Sequence, residues 1–165
     1  MAQQLCDWLP ECRAGKQAGG PLPRLLYRGS RDGLTTEALH RLCDDQGATV
    51  TVARSKAGYV FGGYTSVTWK GQGIWKVDDS AFLFTLTNPA NQPAKYGVHP
   101  GNPDAIYCRP TYPTTFGGGH DMVFHFNGSP YTNFPNSYVD TTGRGNATFN
   151  GEKNIQIDEI EVWVV

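Results

Sequence analysis

Ala81-Phe82-Leu83-Phe84-Thr85-Leu86 is the stretch on which the fold turns. A run this short, apolar on nearly both faces and bounded by Asp78-Asp79-Ser80 and Asn88-Pro89, reads as a strand covered on each side. It marks the expected middle of the core. Upstream, Val50 and Val52 alternate with Thr49, Thr51 and Ala53, and Gly58-Tyr59-Val60-Phe61 begins a second strand, so the pair predicts a hairpin. Gly62-Gly63 interrupts that second strand and predicts a bulge or a close backbone approach.

Downstream, residues 88–103 carry Pro89, Pro93, Pro100 and Pro103, none of which can donate to a ladder, and are expected to form a long surface loop. A short strand follows at 105–108. Met122, Phe124 and Phe126 alternate with Val123 and His125 and predict another strand, while the polar, Gly- and Asn-rich segment 129–151 should supply loops and edge strands. In the final run, Ile155 and Ile157 share one face but Ile160, Val162 and Val164 occupy the other. The phase change near Asp158-Glu159 predicts a bulge or a strand covered on both faces. Because the chain closes on Trp163-Val164-Val165, its last residues are expected to belong to the fold.

One helix is predicted, at residues 36–45. Thr35 caps it, Leu34 and Leu39 form a staple across the cap, Ala38, Leu39, Leu42 and Cys43 make the apolar face, and Gly47 ends it. Ahead of residue 24, residues 1–12 have the character of a short helical turn, and the Gly- and Pro-rich remainder that of a linker. The chain is thus expected to divide into an arm at 1–23 and a domain at 24–165, one unit of a longer polypeptide.

With 165 residues, 39% hydrophobic, 20 glycines, 11 prolines and only 18% charged, the chain supports one core with many turns between short strands and disfavours a helical bundle. A net charge of −1 without a basic run argues against nucleic acid as partner. No stretch is apolar enough to span a bilayer, and Gln3, Gln4 and Asp7 stand where a signal peptide would be apolar, so the default compartment is the cytoplasm. On that basis Cys6, Cys12, Cys43 and Cys108 are expected as reduced thiols, with a Cys6–Cys12 disulfide or a metal site as lesser alternatives, and the sequons at Asn127 and Asn146 as chance matches.

Several blocks of the chain resemble a known family. They are residues 25–33 with the following helix, Gly58-Tyr59-Val60-Phe61-Gly62-Gly63-Tyr64 running to Trp69, Ala81-Phe82-Leu83-Phe84, Phe116-Gly117-Gly118-Gly119-His120-Asp121, and Ile160-Glu161-Val162-Trp163. In this order they resemble the TLDc domain of the oxidation-resistance proteins over about residues 24–165. The resemblance implies a mostly β (α+β) fold, a two-sheet antiparallel β-sandwich flanked by short helices. It also implies a non-catalytic interaction or regulatory module linked to protection from oxidative stress and to binding of the vacuolar proton-pumping ATPase.

Candidate sites follow. Gly117, Gly118 and Gly119 let backbone amides approach a ligand, and the adjoining His120 and Asp121 are able to bind a metal, move a proton or hold a loop; a turn feeding the next strand is the structural alternative. Glu161, with Glu159 two residues before it, places a carboxylate in an apolar strand, where it needs donors or a cation. The resemblance makes Glu161 a family hallmark. Asp78, Asp79, Asp104 and Asp121, with Asp140 and Asp158, are weak candidates for calcium, although no EF-hand spacing is present. A cation- or small-ligand-binding sandwich is therefore the alternative to a protein-binding module, and no cofactor is otherwise expected. A peroxide-consuming enzyme ranks third. His40 and Cys43 resemble a base and nucleophile only superficially, since Cys43 lies on the apolar helix face near a helix C-terminus.

Overall fold

A computed structural model describes residues 2–10, 23–126, 128 and 130–165. The elements are helix α1 (Ala2–Trp8), strand β1 (Arg24–Arg28), the one-turn helix α2 (Gly29–Asp32), helix α3 (Thr36–Cys43), strands β2 (Thr49–Ser55), β3 (Val60–Thr65), β4 (Ile74–Lys76), β5 (Phe82–Thr87), β6 (Ala94–Gly97), β7 (Ile106–Cys108), β8 (Thr115–Phe116) and β9 (Met122–Val123), a 3-10 turn (Gly145–Ala147) and strand β10 (Ile157–Val164). They build two antiparallel sheets, one of order β1-β10-β2-β3-β5-β6 and one of order β4-β7-β8-β9. This is the mostly β, two-sheet architecture expected.

The sheets meet through aromatic side chains. Phe116 of the small sheet lies against Gly63 of the large one, where an added Cβ would come within 2.6 Å of the ring. The Gly-Gly step thus serves close approach. Trp69 stands edge-on to Phe116 with centroids 5.2 Å apart and donates Nε1–H to Thr49 Oγ1 at 2.9 Å, so its one polar atom is satisfied inside the core. The loops between residues 130 and 155 add Phe134 and Phe149, which pack on Tyr96 and each other.

Phe82, Phe84 and Leu86 of β5 join a second apolar cluster on the opposite side of the large sheet, where Leu5, Trp8 and Leu9 of the α1 segment cover them. Leu83 faces the main core instead. The strand is therefore covered on both faces, as its composition predicts, although β2 and β3 are the central pair. The two segments of the expected hairpin pair as β2 and β3. The phase change in the last strand is a bulge: the β10–β2 register shifts between Ile157 and Glu159. The last residue still bonds inward, Val165 N–H donating to Ala48 O at 3.2 Å.

Four local expectations are corrected. Residues 88–103 are not all loop. Ala94–Gly97 pairs with β5 as an edge strand that buries Tyr96, because the stretch between Pro93 and Pro100 keeps all its N–H groups. The 122–126 strand shrinks to Met122–Val123, and Met122, Val123 and Phe124 are all buried, so alternation is lost where both faces are covered. Helix α3 ends at Cys43 rather than 45. Asp44 is extended and Asp45 takes φ 59°, a left-handed conformation that aspartate tolerates. The Thr35 cap forms, accepting Ala38 N–H at 3.1 Å, but its staple partner Leu34 remains 49% exposed while Leu39 is fully buried.

Candidate functional site

The outward face of the small sheet carries a continuous strip of rings. The β4–β7 register sets Trp75 opposite Tyr107, and their centroids are 4.3 Å apart. Tyr112 packs edge-on to Tyr107 at 5.4 Å, and His120 lies about equally close to Trp75 and Tyr107, at 6.0 Å from each. His125 and Tyr131 extend the strip beyond Tyr112. Beneath it, Thr115 and Val123 are buried. Trp75 itself is 38% exposed and Val77 58%, while Ile74, 46% exposed, lies on the opposite face of β4 with Cys108. A cavity of about 290 Å³ opens at the His125 end, lined by Thr36, Thr111, His125, Phe126 and Gly128.

The glycine-rich motif builds this face. Gly117 takes φ 84°, which reverses the chain between β8 and β9, and His120 at φ 59° completes the turn. His120 thereby points into the strip, its Nδ1 2.8 Å from Tyr131 Oη. Burial, and then the neighbouring His125, lower its pKa from the usual histidine value; burial alone lowers that of His125. Both rings are therefore mainly neutral at pH 7 and pack as aromatic groups.

Asp121 turns the other way, inward. Its carboxylate is buried and accepts Ser137 N–H at 2.7 Å and Tyr138 N–H at 3.0 Å. Burial pushes its pKa up to about 7 against the pull of those amides. Thus the adjacent His120 and Asp121 serve opposite faces, one lining the outer strip and the other anchoring the 136–138 segment. Gly118 N–H donates to Ser137 Oγ at 2.7 Å, and Asn133 Nδ2 donates to Gly119 O at 2.9 Å.

Glu159 and Glu161 lie on a separate surface. Glu161 accepts from Arg28 at 2.7 Å and from Trp163 Nε1 at 2.9 Å. Glu159 accepts from Ser30 Oγ, from Ser30 N–H at 3.1 Å and from Ile160 N–H at 3.0 Å. Burial would raise the Glu159 pKa, but the Ser30 and Ile160 donors outweigh it and hold it below the usual value. Together the two carboxylates tie β10 to the end of β1 and to α2.

The remaining aspartates are dispersed. Asp78 accepts from Thr65, Ser66 and Ser80, and Asp140 from Thr142, Gly143 and Gly145. Asp158 pairs with Arg54 at 2.6 Å, Asp104 packs against Gly118, and Asp79 is exposed. Among the described residues no three His, Cys, Asp or Glu side chains gather as a cation site.

His40 does not serve Cys43. Its Nε2 bonds Tyr112 O at 2.8 Å and its Nδ1 contacts Asp44 at 2.7 Å, so it holds in place the segment that carries Tyr112. Burial pushes the Cys43 thiol up to about 12 and that of Cys108 to about 11. Cys6, Cys43 and Cys108 are free thiols. Cys12 and Asn127 lie outside the described residues, and with them the Cys6–Cys12 disulfide and the first sequon.

Of the residues singled out in the sequence, only His120 joins the ring strip. Trp75, Tyr107, Tyr112, His125 and Tyr131 carry no motif. Their one sequence signal is an aromatic content of 12% in a chain with few charges.

Comparison with known proteins agrees with this architecture. A 63-residue stretch is 30% identical to the MTOR-associated protein MEAK7 of Danio rerio, covering 38% of this chain and 14% of that protein. The chain thus matches about a seventh of that relative's length. The family model for the TLDc domain matches residues 1–165, and the chain belongs to the TLDc domain family.

Proposed function

We propose that this TLDc domain is a non-catalytic docking module that presents the outer face of its small sheet to a protein partner in the cytoplasm. The observation that carries this reading is the partly exposed ring strip around Trp75, at the edge of the sheet where Val77 is also exposed, mounted on short strands with a buried interior. Exposed contiguous apolar surface of this kind marks interaction sites, and tryptophan and tyrosine are enriched where partners bind. Among the described residues, Cys6, Cys43 and Cys108 are free thiols, which fits a reducing compartment.

Two partner classes follow from likeness. The relative's name associates it with MTOR, and the family resemblance points to the vacuolar ATPase and to oxidative-stress protection. A thiol peroxidase mechanism at Cys43 or Cys108 is disfavoured, because burial keeps both protonated. The calcium alternative lacks a comparable observation, since Asp78 and Asp140 spend their oxygens on internal donors.

The test is co-elution of the chain with the purified V1 sector of the vacuolar ATPase and, separately, with purified MTOR complexes. Complex formation with either one, lost on Trp75→Ala, supports the reading. Co-elution with neither, or a complex indifferent to Trp75→Ala, overturns it.

A further inference from the structure

We infer that the ring strip of the small sheet binds an acidic, aromatic-containing peptide segment of its partner, an inference that rests on the docking reading above. Charge complementarity supports it. Two exposed cations stand directly over rings of the strip, Arg109 above Tyr112 at 5.9 Å and Lys153 above Tyr131 at 5.8 Å. Among the described residues, no carboxylate pairs with either one, whereas Arg28, Arg31, Arg54 and Lys70 are all engaged in ion pairs.

An unpaired cation beside an apolar surface attracts carboxylates and repels cationic segments. The rings themselves offer the complementary half of the site. Trp75 and Tyr107 form an edge where β4 ends the sheet, so an extended segment is able to lie along it and set aromatic side chains on them. The protein's own cations already occupy the faces of Tyr112 and Tyr131, which leaves those faces less attractive to lysine or arginine from a partner.

The shape of the strip also favours a peptide over stacked bases. Tyr107 and Tyr112 are perpendicular, at 87°, so the strip is a corrugated surface rather than a row of parallel platforms on which successive bases would stack.

The probe is a fluorescein-labelled random copolymer of glutamate and tyrosine, titrated with the full chain and read by anisotropy. Copolymers of lysine and tyrosine, polyglutamate and oligothymidylate serve as competitors. Saturable binding that falls about tenfold or more with Trp75→Ala, and likewise with Arg109→Glu combined with Lys153→Glu, supports the inference. Lys56→Glu, a single charge reversal at the exposed β2–β3 turn, should leave binding unchanged.

Absence of saturable binding overturns the inference. So does competition by the lysine–tyrosine copolymer or oligothymidylate as strong as that by unlabelled probe, or indifference to the paired charge reversal. A natural partner whose binding needs Trp75 but ignores that reversal would sink the acidic-segment inference and leave the docking reading standing; one that ignores Trp75 as well would sink both.

Discussion

Phe116 of the small sheet rests on Gly63 of the large sheet so closely that a methyl group at residue 63 would sit 2.6 Å from the ring. The two layers are held at a spacing that only hydrogen at that position allows. Neighbouring Trp69, edge-on to Phe116, leaves the ring little room to retreat. Gly63→Ala should therefore destabilise the fold by about 1–3 kcal/mol, the usual cost of overpacking. Gly97→Ala, at an edge-strand position where nothing lies within 4 Å, should cost far less. Urea denaturation of both variants checks the contrast; equal losses would contradict the close approach.

Asp121 gives a pH signature of its own. Its folded pKa of about 7 lies above the ordinary aspartate value of about 4. Between those values the folded protein holds a proton that the unfolded chain has released, so the contribution from Asp121 should fall as pH rises across that window. Glu159 and Asp78, held below their usual values, act in the opposite sense at lower pH. Comparing wild type with Asp121→Asn from pH 4 to 8 isolates the effect. The wild-type advantage should shrink with rising pH, and the variant should lose about 1–3 kcal/mol at low pH by leaving a buried backbone donor poorly matched.

The Arg28–Glu161 pair should contribute little on its own. Its side chains are 41% and 23% exposed, so solvent screens their attraction. A double-mutant cycle with Arg28→Ala and Glu161→Gln should return a coupling of about 1 kcal/mol or less, measured by thermal or chemical unfolding. A larger coupling would mark the pair as a main fastening of β1 to β10.

The buried thiols should be protected. With pKa values near 12 and 11, Cys43 and Cys108 have almost no thiolate at neutral pH, and both are fully buried. Iodoacetamide labelling followed by peptide mass spectrometry should modify partly exposed Cys6 first, and Cys43 and Cys108 only after denaturant is added. Rapid modification of native Cys43 would reopen a thiol mechanism.

Much of the fold was legible along the chain, because its signals are local. The β2–β3 alternation, the Thr35 cap, the doubly covered β5 and the phase break before Glu159 each depend on side chains a few residues apart. The edge strand β6 was hidden by its flanking prolines, and the 122–126 alternation was misleading because both faces of β9 are buried.

The site was legible only in part, at the glycine turn that presents His120. Nothing local distinguishes His120, which faces outward, from Asp121, which is buried beside Ser137; the left-handed turn and the loop packed behind it decide that. Likewise Trp75, Tyr107, Tyr112 and Tyr131 come from four separate segments and meet only because antiparallel pairing sets one strand's side chains beside the next. The sequence by itself determined the periodicities, the caps and the apolar content that require two covered sheets. Which rings share a surface was left to the tertiary structure, since that depends on register and on long-range loop closure, neither of which a local pattern encodes.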